Sequence, residues 1–325
     1  MADLIQKPDT RSRDPHATPT PTRRSPVARV RQRWARLVAL LALLRRDPAE
    51  AGRLFVAWVR RNAMRWLLRY LALGYVFFLV AWPVALVVKE AFADGVSGML
   101  SIFGDEQVVH ALTLTAQVAV QAVIINLVFG VTISLLLVRY RFPGKRLLSA
   151  LIDVPLSVSP VVVGLSLLLV YNGRDGFFGT WLEENGVQII FSGPGIIMAT
   201  CFVALPLVIR EVVPVLQEIG DEQEQAARSL GASGRQTFWR ITLPSIKWAV
   251  VYGVVLSLAR SLGEFGAVKV VSGNYLNQTQ TATLVVEEQY QSFEKASAYS
   301  VSFVLAFVSV LCIVVVSFLR PKEHS

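Results

Sequence analysis

The sequence predicts an all-α polytopic membrane protein with six transmembrane helices and a structured cytoplasmic loop between the fourth and the fifth. Apolar residues make up 54% of the 325 and charged residues only 17%, against roughly 25% charged in an ordinary soluble domain. Six nearly uncharged runs are each long enough to cross a bilayer. Arginine and lysine alternate between rich and poor connecting loops. Open strands are excluded as spans, because lipid offers no partner for an unpaired backbone group.

The runs lie at 71–88, 111–138, 147–170, 189–209, 248–271 and 299–319. Each predicts a helix of about 30 Å at about 1.5 Å per residue, the thickness of the hydrocarbon core. Orientation follows from the charges. The loop "RYRFPGKR" at 139–146 carries four positive charges, the loop 210–247 five, and the tail after Leu319 two, whereas the alternate loops hold one each, at Lys89, Arg174 and Lys295. The positive-inside rule puts both termini and the two basic loops in the cytoplasm of a multi-pass plasma-membrane protein.

Three regions follow. Residues 1–65 hold 15 Lys/Arg and 5 Asp/Glu, leaving 17 and 18 for the rest of the chain, so the net charge of +9 resides in this basic arm. Its first 30 residues are rich in Pro, Thr and Arg without a continuous apolar core, which predicts a disordered cytoplasmic tail and not a signal peptide. The apolar patch "LVALLALL" at 37–44 is too short to span; it reads either as a helix lying on the anionic inner leaflet or as a plain solvated helix. The arm has Trp34 and Trp58 but no zinc or RNA-recognition signature, which argues against nucleic acid as a partner. Residues 66–320 form the membrane domain and 321–325 a short tail. Cys201 and Cys312 both sit inside apolar runs, a pattern of packed side chains with no disulfide framework or metal site.

The loop 210–247 carries the strongest local punctuation. Ile219, Ala226 and Leu230 recur at helical spacing, with Glu218, Glu222 and Arg228 available to water. Gly231 stands where a helix ends in a left-handed residue. Ser233, with Gln236 three positions on, has the spacing of a capping box opening a second short helix through Trp239. Pro244 suits the first turn of the fifth span. From the residues alone the element is either a connector covering its own apolar face or a docking knob.

The segment "QAARSLGASGRQTFWRITLP" (225–244) resembles the cytoplasmic signature of binding-protein-dependent ABC importer permeases: Glu-Ala-Ala, three residues, Gly, nine residues, Ile-x-Leu-Pro. Ala226, Ala227, Gly231, Ile241, Leu243 and Pro244 fall in register; Gln225 replaces the leading glutamate, and Glu224 lies about 100° away around the helix. The resemblance implies that this element couples to a separate ATPase. "LARSLGEFGAVKVVSGN" (258–274), "DVPLSVSPVVVGL" (153–165) and "FVALPLVIREVVPVLQ" (202–217) are similar to segments of the sulfate and molybdate permeases, most of all the CysW type of the sulfate/thiosulfate pair. The resemblance covers roughly residues 66–320. It implies two ATPase subunits that bind ATP and magnesium, a second homologous permease and an external sulfate-binding protein. This chain itself would hold no cofactor and no catalytic residue. Its single Gly-Lys pair, Gly144-Lys145, lacks the glycine and hydroxyl residue of a phosphate-cradling loop. Another oxyanion, or a motor-independent channel or secondary transporter, remains the alternative.

Arg260 and Glu264 stand four apart and can pair on one helix face, either lining an anion's path or locking the fifth span. Asp153, seven residues past Arg146, reads as a paired or capped residue near the cytoplasmic end, or as a path residue. Lys269 is expected near the outer surface.

Overall fold

The computed structural model describes residues 63–173 and 175–319. The expectations for the basic arm up to residue 62, its helix at 37–44, Arg174 and the tail from residue 320 lie outside the described residues. The chain divides into two compact units, Met1–Leu79 and Val80–Ser325. Of the first, residues 63–79 are helical and almost wholly exposed.

All regular structure among the described residues is helical. The helices are α1 (Ala63–Ala91), α2 (Gly95–Ser101), α3 (Glu106–Arg139), α4 (Lys145–Ser157), α5 (Pro160–Tyr171), α6 (Gly179–Glu184), α7 (Gly193–Ile219), α8 (Glu222–Ser229), α9 (Gly234–Leu262), α10 (Gly266–Val271), α11 (Ala282–Gln291) and α12 (Lys295–Leu319). Five of them, α1, α3, α7, α9 and α12, are long and apolar enough to cross a membrane; the bent pair α4–α5 makes a sixth span if it counts as one.

Helix α7 is the axis of the second unit. Val208, Val212 and Leu216 pack against Val131 of α3 and against Ile246 and Ala249 of α9. Closer to the other end, Ile196, Ala199 and Val203 join Val118 of α3 and Ala267, Val268 and Val271 of α10. Without a hydrophobic force between helices in lipid, close backbone approach has to supply the contact. Val208 supplies it between two glycines: a Cβ at Gly130 would lie 2.8 Å from its Cγ1, and one at Gly253 3.0 Å from its Cα. A further cluster joins Val108 and Ala111 of α3, Ala282 and Val285 of α11 and Val301 of α12.

Three spans differ from the sequence expectation. The run 147–170 is not one straight helix: the chain bends by 115° between α4 and α5. Pro160 disfavours the helical region for the residue before it, and Ser159 adopts φ −60°, ψ 135°. The fifth span ends at Leu262 and does not reach Val271. Gly263, Glu264 and Phe265 interrupt it before α10, which packs so closely on α5 that a Cβ at Gly164 would lie 2.8 Å from the Ala267 carbonyl. The fourth span also runs on to Ile219, which places Arg210 inside α7 and not in the following loop.

Candidate functional site

Between α7 and α9 the chain folds into a compact corner. Gly220 ends α7, so Ile219 belongs to that helix and does not share a stripe with Ala226 and Leu230. The end of α8 is a complete Schellman closure. Gly231 takes φ +88°, its N–H donates to the Arg228 carbonyl at 3.0 Å, and the Ala232 N–H donates to the Ala227 carbonyl at 3.0 Å. Ser233 and Gln236 form the capping box: the Gln236 N–H donates to Ser233 Oγ at 3.3 Å and the Ser233 N–H to Gln236 Oε1 at 2.9 Å. The helix so opened does not stop at Trp239 but continues into the fifth span. Pro244 is accommodated by a wider turn at Phe238–Thr242, where the Leu243 N–H reaches back five residues to the Phe238 carbonyl.

Of the residues singled out in the sequence, Gln225, Ala226, Gly231 and Pro244 are exposed, and Ala227, Ile241 and Leu243 are half-buried. The corner does not cover its own apolar face: Leu230 is 89% and Trp239 59% exposed. Glu222 and Arg228 are exposed as expected, and Glu224 is buried.

Glu224 and Arg139 form a clamp that local patterning does not announce. Arg139 Nε donates to Glu224 Oε2 and Nη2 to Oε1, each at 3.1 Å, the two-oxygen fork of a strong guanidinium–carboxylate contact. The remaining donors cap α7, with Nη1 reaching the Leu216 carbonyl at 3.0 Å and Nη2 the Gly220 carbonyl at 2.7 Å. Thr242 Oγ1 donates to Glu224 Oε1 at 2.9 Å. One ion pair thus joins the ends of α3 and α7 to α8 and to the start of α9. It answers orphan carbonyls and places positive charge at the negative end of the α7 dipole.

Arg260 and Glu264 also meet, Nη2 to Oε2 at 3.0 Å, although Glu264 stands beyond the end of α9. The Ala267 N–H donates to Glu264 Oε1 at 3.1 Å, and Thr283 Oγ1 donates to the Glu264 carbonyl at 2.9 Å. Glu264 therefore ties the end of α9 to α10 and α11. Asp153 pairs with Arg210 of α7 at 2.9 Å. Lys269 pairs with Glu287 and lies 5.3 Å from the centre of the Phe265 ring. Among the described residues, no three His, Cys, Asp or Glu side chains converge as a metal site.

A set of apolar helices long enough to span a bilayer, with a braced, exposed corner between two of them, is the fold of a multi-span membrane protein. The signature of the family described as "Binding-protein-dependent transport system inner membrane component" matches residues 126–321, and the chain belongs to this family. It is 46% identical over 252 residues to the sulfate transport system permease protein CysW of Synechococcus elongatus, covering 78% of this chain and 88% of that one. It is 41% identical over 259 residues to the CysW protein of Escherichia coli strain K12, covering 80% and 89%. Identity to the sulfate transport system permease protein CysT of the same strain is 35% over 251 residues, covering 77% and 90%. In fold it is similar to a chain of a bacterial ABC transporter involved in the import of the acidic polysaccharide alginate. That match has a TM-score of 0.69 at 15% identity and covers 84% of this chain and all of that one.

Proposed function

We propose that this chain is a permease subunit of an ATP-driven importer of sulfate or thiosulfate, working beside a second homologous permease, two ATPase subunits and an external binding protein. The corner from α8 to the start of α9 transmits the ATPase cycle to the helices. The observation that carries this reading is the contrast within that corner. There Ala226, Leu230 and Trp239 are left exposed by the described residues. Its inner face is bolted to three spans through Glu224 and Arg139. Large apolar side chains left uncovered beside a charged corner suit contact with a partner, and a rigid mount lets movement of the corner move the spans.

The oxyanion reading is supported by the names of the CysW and CysT relatives. A motor is needed on physical grounds. Moving a dianion into a negative interior costs about 4.6 kcal/mol per 100 mV, twice the roughly 2.3 for a single charge. With both termini and the corner in the cytoplasm, the patch faces the nucleotide supply; ATP and magnesium are held by the partner subunits, and this chain has no catalytic role.

The test is Gly231→Leu in the assembled complex. A Cβ at Gly231 meets nothing within 4 Å, so the side chain starts out into open space. A left-handed non-glycine residue nonetheless costs about 1–2 kcal/mol, and the added bulk stands in the docking face. Sulfate uptake and ATPase co-purification are expected to be lost while membrane insertion persists; normal uptake would overturn the reading. Competition among sulfate, thiosulfate, molybdate, tungstate and phosphate for uptake by the unmodified complex ranks the substrates.

A further inference from the structure

Helix α4 has two exposed faces of different character. Leu147, Leu151 and Val154 recur on one. Ser149, Asp153 and Ser157 recur on another, also exposed, about 130° round the helix at 100° per residue. The first suits lipid and the second does not. Opposite the polar stripe, α7 presents Arg210 and, two turns further along, Gln217, both exposed.

The depth of these groups makes the exposure meaningful. Helix α7 has 27 residues, about 40 Å of helix for a hydrocarbon core of about 30 Å. Arg210 stands four residues, about 6 Å, from its midpoint and therefore within the core if the helix is centred. Asp153 lies eight residues, about 12 Å, from the start of α4, and Arg210 nine residues, about 13 Å, from the end of α7, so the two reach one level from opposite chain directions. Their side chains are 53% and 58% exposed. An arginine can snorkel towards a headgroup, but an aspartate is too short to do so. A charge facing hydrocarbon costs about 2.5–3.5 kcal/mol even on the mildest scale, so this face belongs to water or to protein.

Two further features favour water. Arg210 Nε and Nη2 both donate to the same oxygen, Asp153 Oδ1, at 3.3 and 2.9 Å, an arrangement that leaves much of the guanidinium fork for another oxyanion. A cavity of about 560 Å³ also borders the start of the stripe at Ser149, lined by Lys145, Arg146 and Gln217 beside the apolar Leu137, Phe142 and Val213. The polar stripe thus runs from a cationic mouth to a paired arginine about 13 Å in from the end of α7.

We infer that the α4–α7 face is one wall of the aqueous route between mid-membrane and the Lys145 end, and that Arg210 holds the passing oxyanion by exchanging Asp153 for it. Asp153 keeps the arginine oriented and partly neutralised while the route is empty, so the anion is not trapped. This rests on the proposed importer reading for the identity of the anion, but not for the presence of water on this face.

Two measurements on the assembled complex test it. In a background carrying Cys201→Ala and Cys312→Ala, Ser157→Cys is exposed to a membrane-impermeant thiol reagent beside Leu151→Cys, which is nearer the Lys145 end but on the apolar face. Labelling of Ser157→Cys faster by roughly tenfold or more is expected for a wetted wall, since a thiol in hydrocarbon or in a packed helix contact stays unreactive. Equal or slower labelling overturns the inference and assigns the face to contact with a neighbouring chain. In proteoliposomes, Arg210→Gln is expected to lower sulfate uptake by roughly tenfold or more while ATPase association persists. The neutral pair Asp153→Asn with Arg210→Gln, which retains hydrogen bonding across the contact, is expected to stay equally low; recovery to the unmodified rate overturns the anion role in favour of a structural one. Failure of the unmodified complex to take up sulfate would reject the importer reading, and the labelling ratio would still decide the wall.

Discussion

Two arginine–carboxylate pairs on the same helical scaffold differ in everything but their chemistry. Arg139–Glu224 has side chains only 13% and 10% exposed, a two-oxygen fork and two backbone carbonyls to satisfy the remaining donors. Arg210–Asp153 is more than half exposed and shares one carboxylate oxygen between two guanidinium nitrogens. The first has no use for another ligand, because almost every donor is already answered. The second is held loosely enough to accept one. Burial with saturation makes a brace, and exposure with spare donors makes a contact for something that passes.

Mutations can break this contrast. Removing one partner of a buried pair leaves an uncompensated charge, so Arg139→Ala or Glu224→Ala is expected to cost about 3–5 kcal/mol, seen as a large fall in the thermal midpoint of the purified complex. A midpoint unchanged by either would show that the brace is dispensable. Glu264→Ala comes next: it removes the bond to the Ala267 N–H and unpairs Arg260, for an expected loss of about 2–3 kcal/mol, with Glu264→Gln milder because an amide still accepts. Ser233→Ala deletes one half of the capping box and is expected to cost about 1 kcal/mol, read in the same thermal series. Arg210→Ala sharpens the comparison from the other end: an exposed pair contributes about 0–1 kcal/mol, so its midpoint should scarcely move while uptake collapses. A fall as large as that of Arg139→Ala would place the two pairs in one class and remove the distinction.

The features legible in the sequence are those whose cause is local. The Ser233–Gln236 cap and the Gly231 turn depend on partners within five residues, and both stand where the spacing put them. The apolar runs fix which segments enter lipid, because every backbone polar group there has to be satisfied within its own helix. Pro160 stands inside the run 147–170, and there the chain bends by 115°, with Val158 and Ser159 extended. Arg210 ends the apolar run in the sequence, yet α7 continues through it for nine residues more. In the sequence Glu224 stands beside Gln225, and nothing nearer sets it apart. Its partner Arg139 stands 85 positions away, and nothing in either neighbourhood points to the other.

By itself, then, the sequence determined the helical class, the order of the membrane segments and the chemistry of the corner between α7 and α9, since hydrophobic length, capping and turn geometry act over a few residues. Only the tertiary structure decided which carboxylate each arginine meets, which face of the corner is left open and which face of α4 carries its polar stripe away from the packed core. Those outcomes depend on distances between helices that are far apart in the chain, and no periodicity within one helix encodes its neighbour.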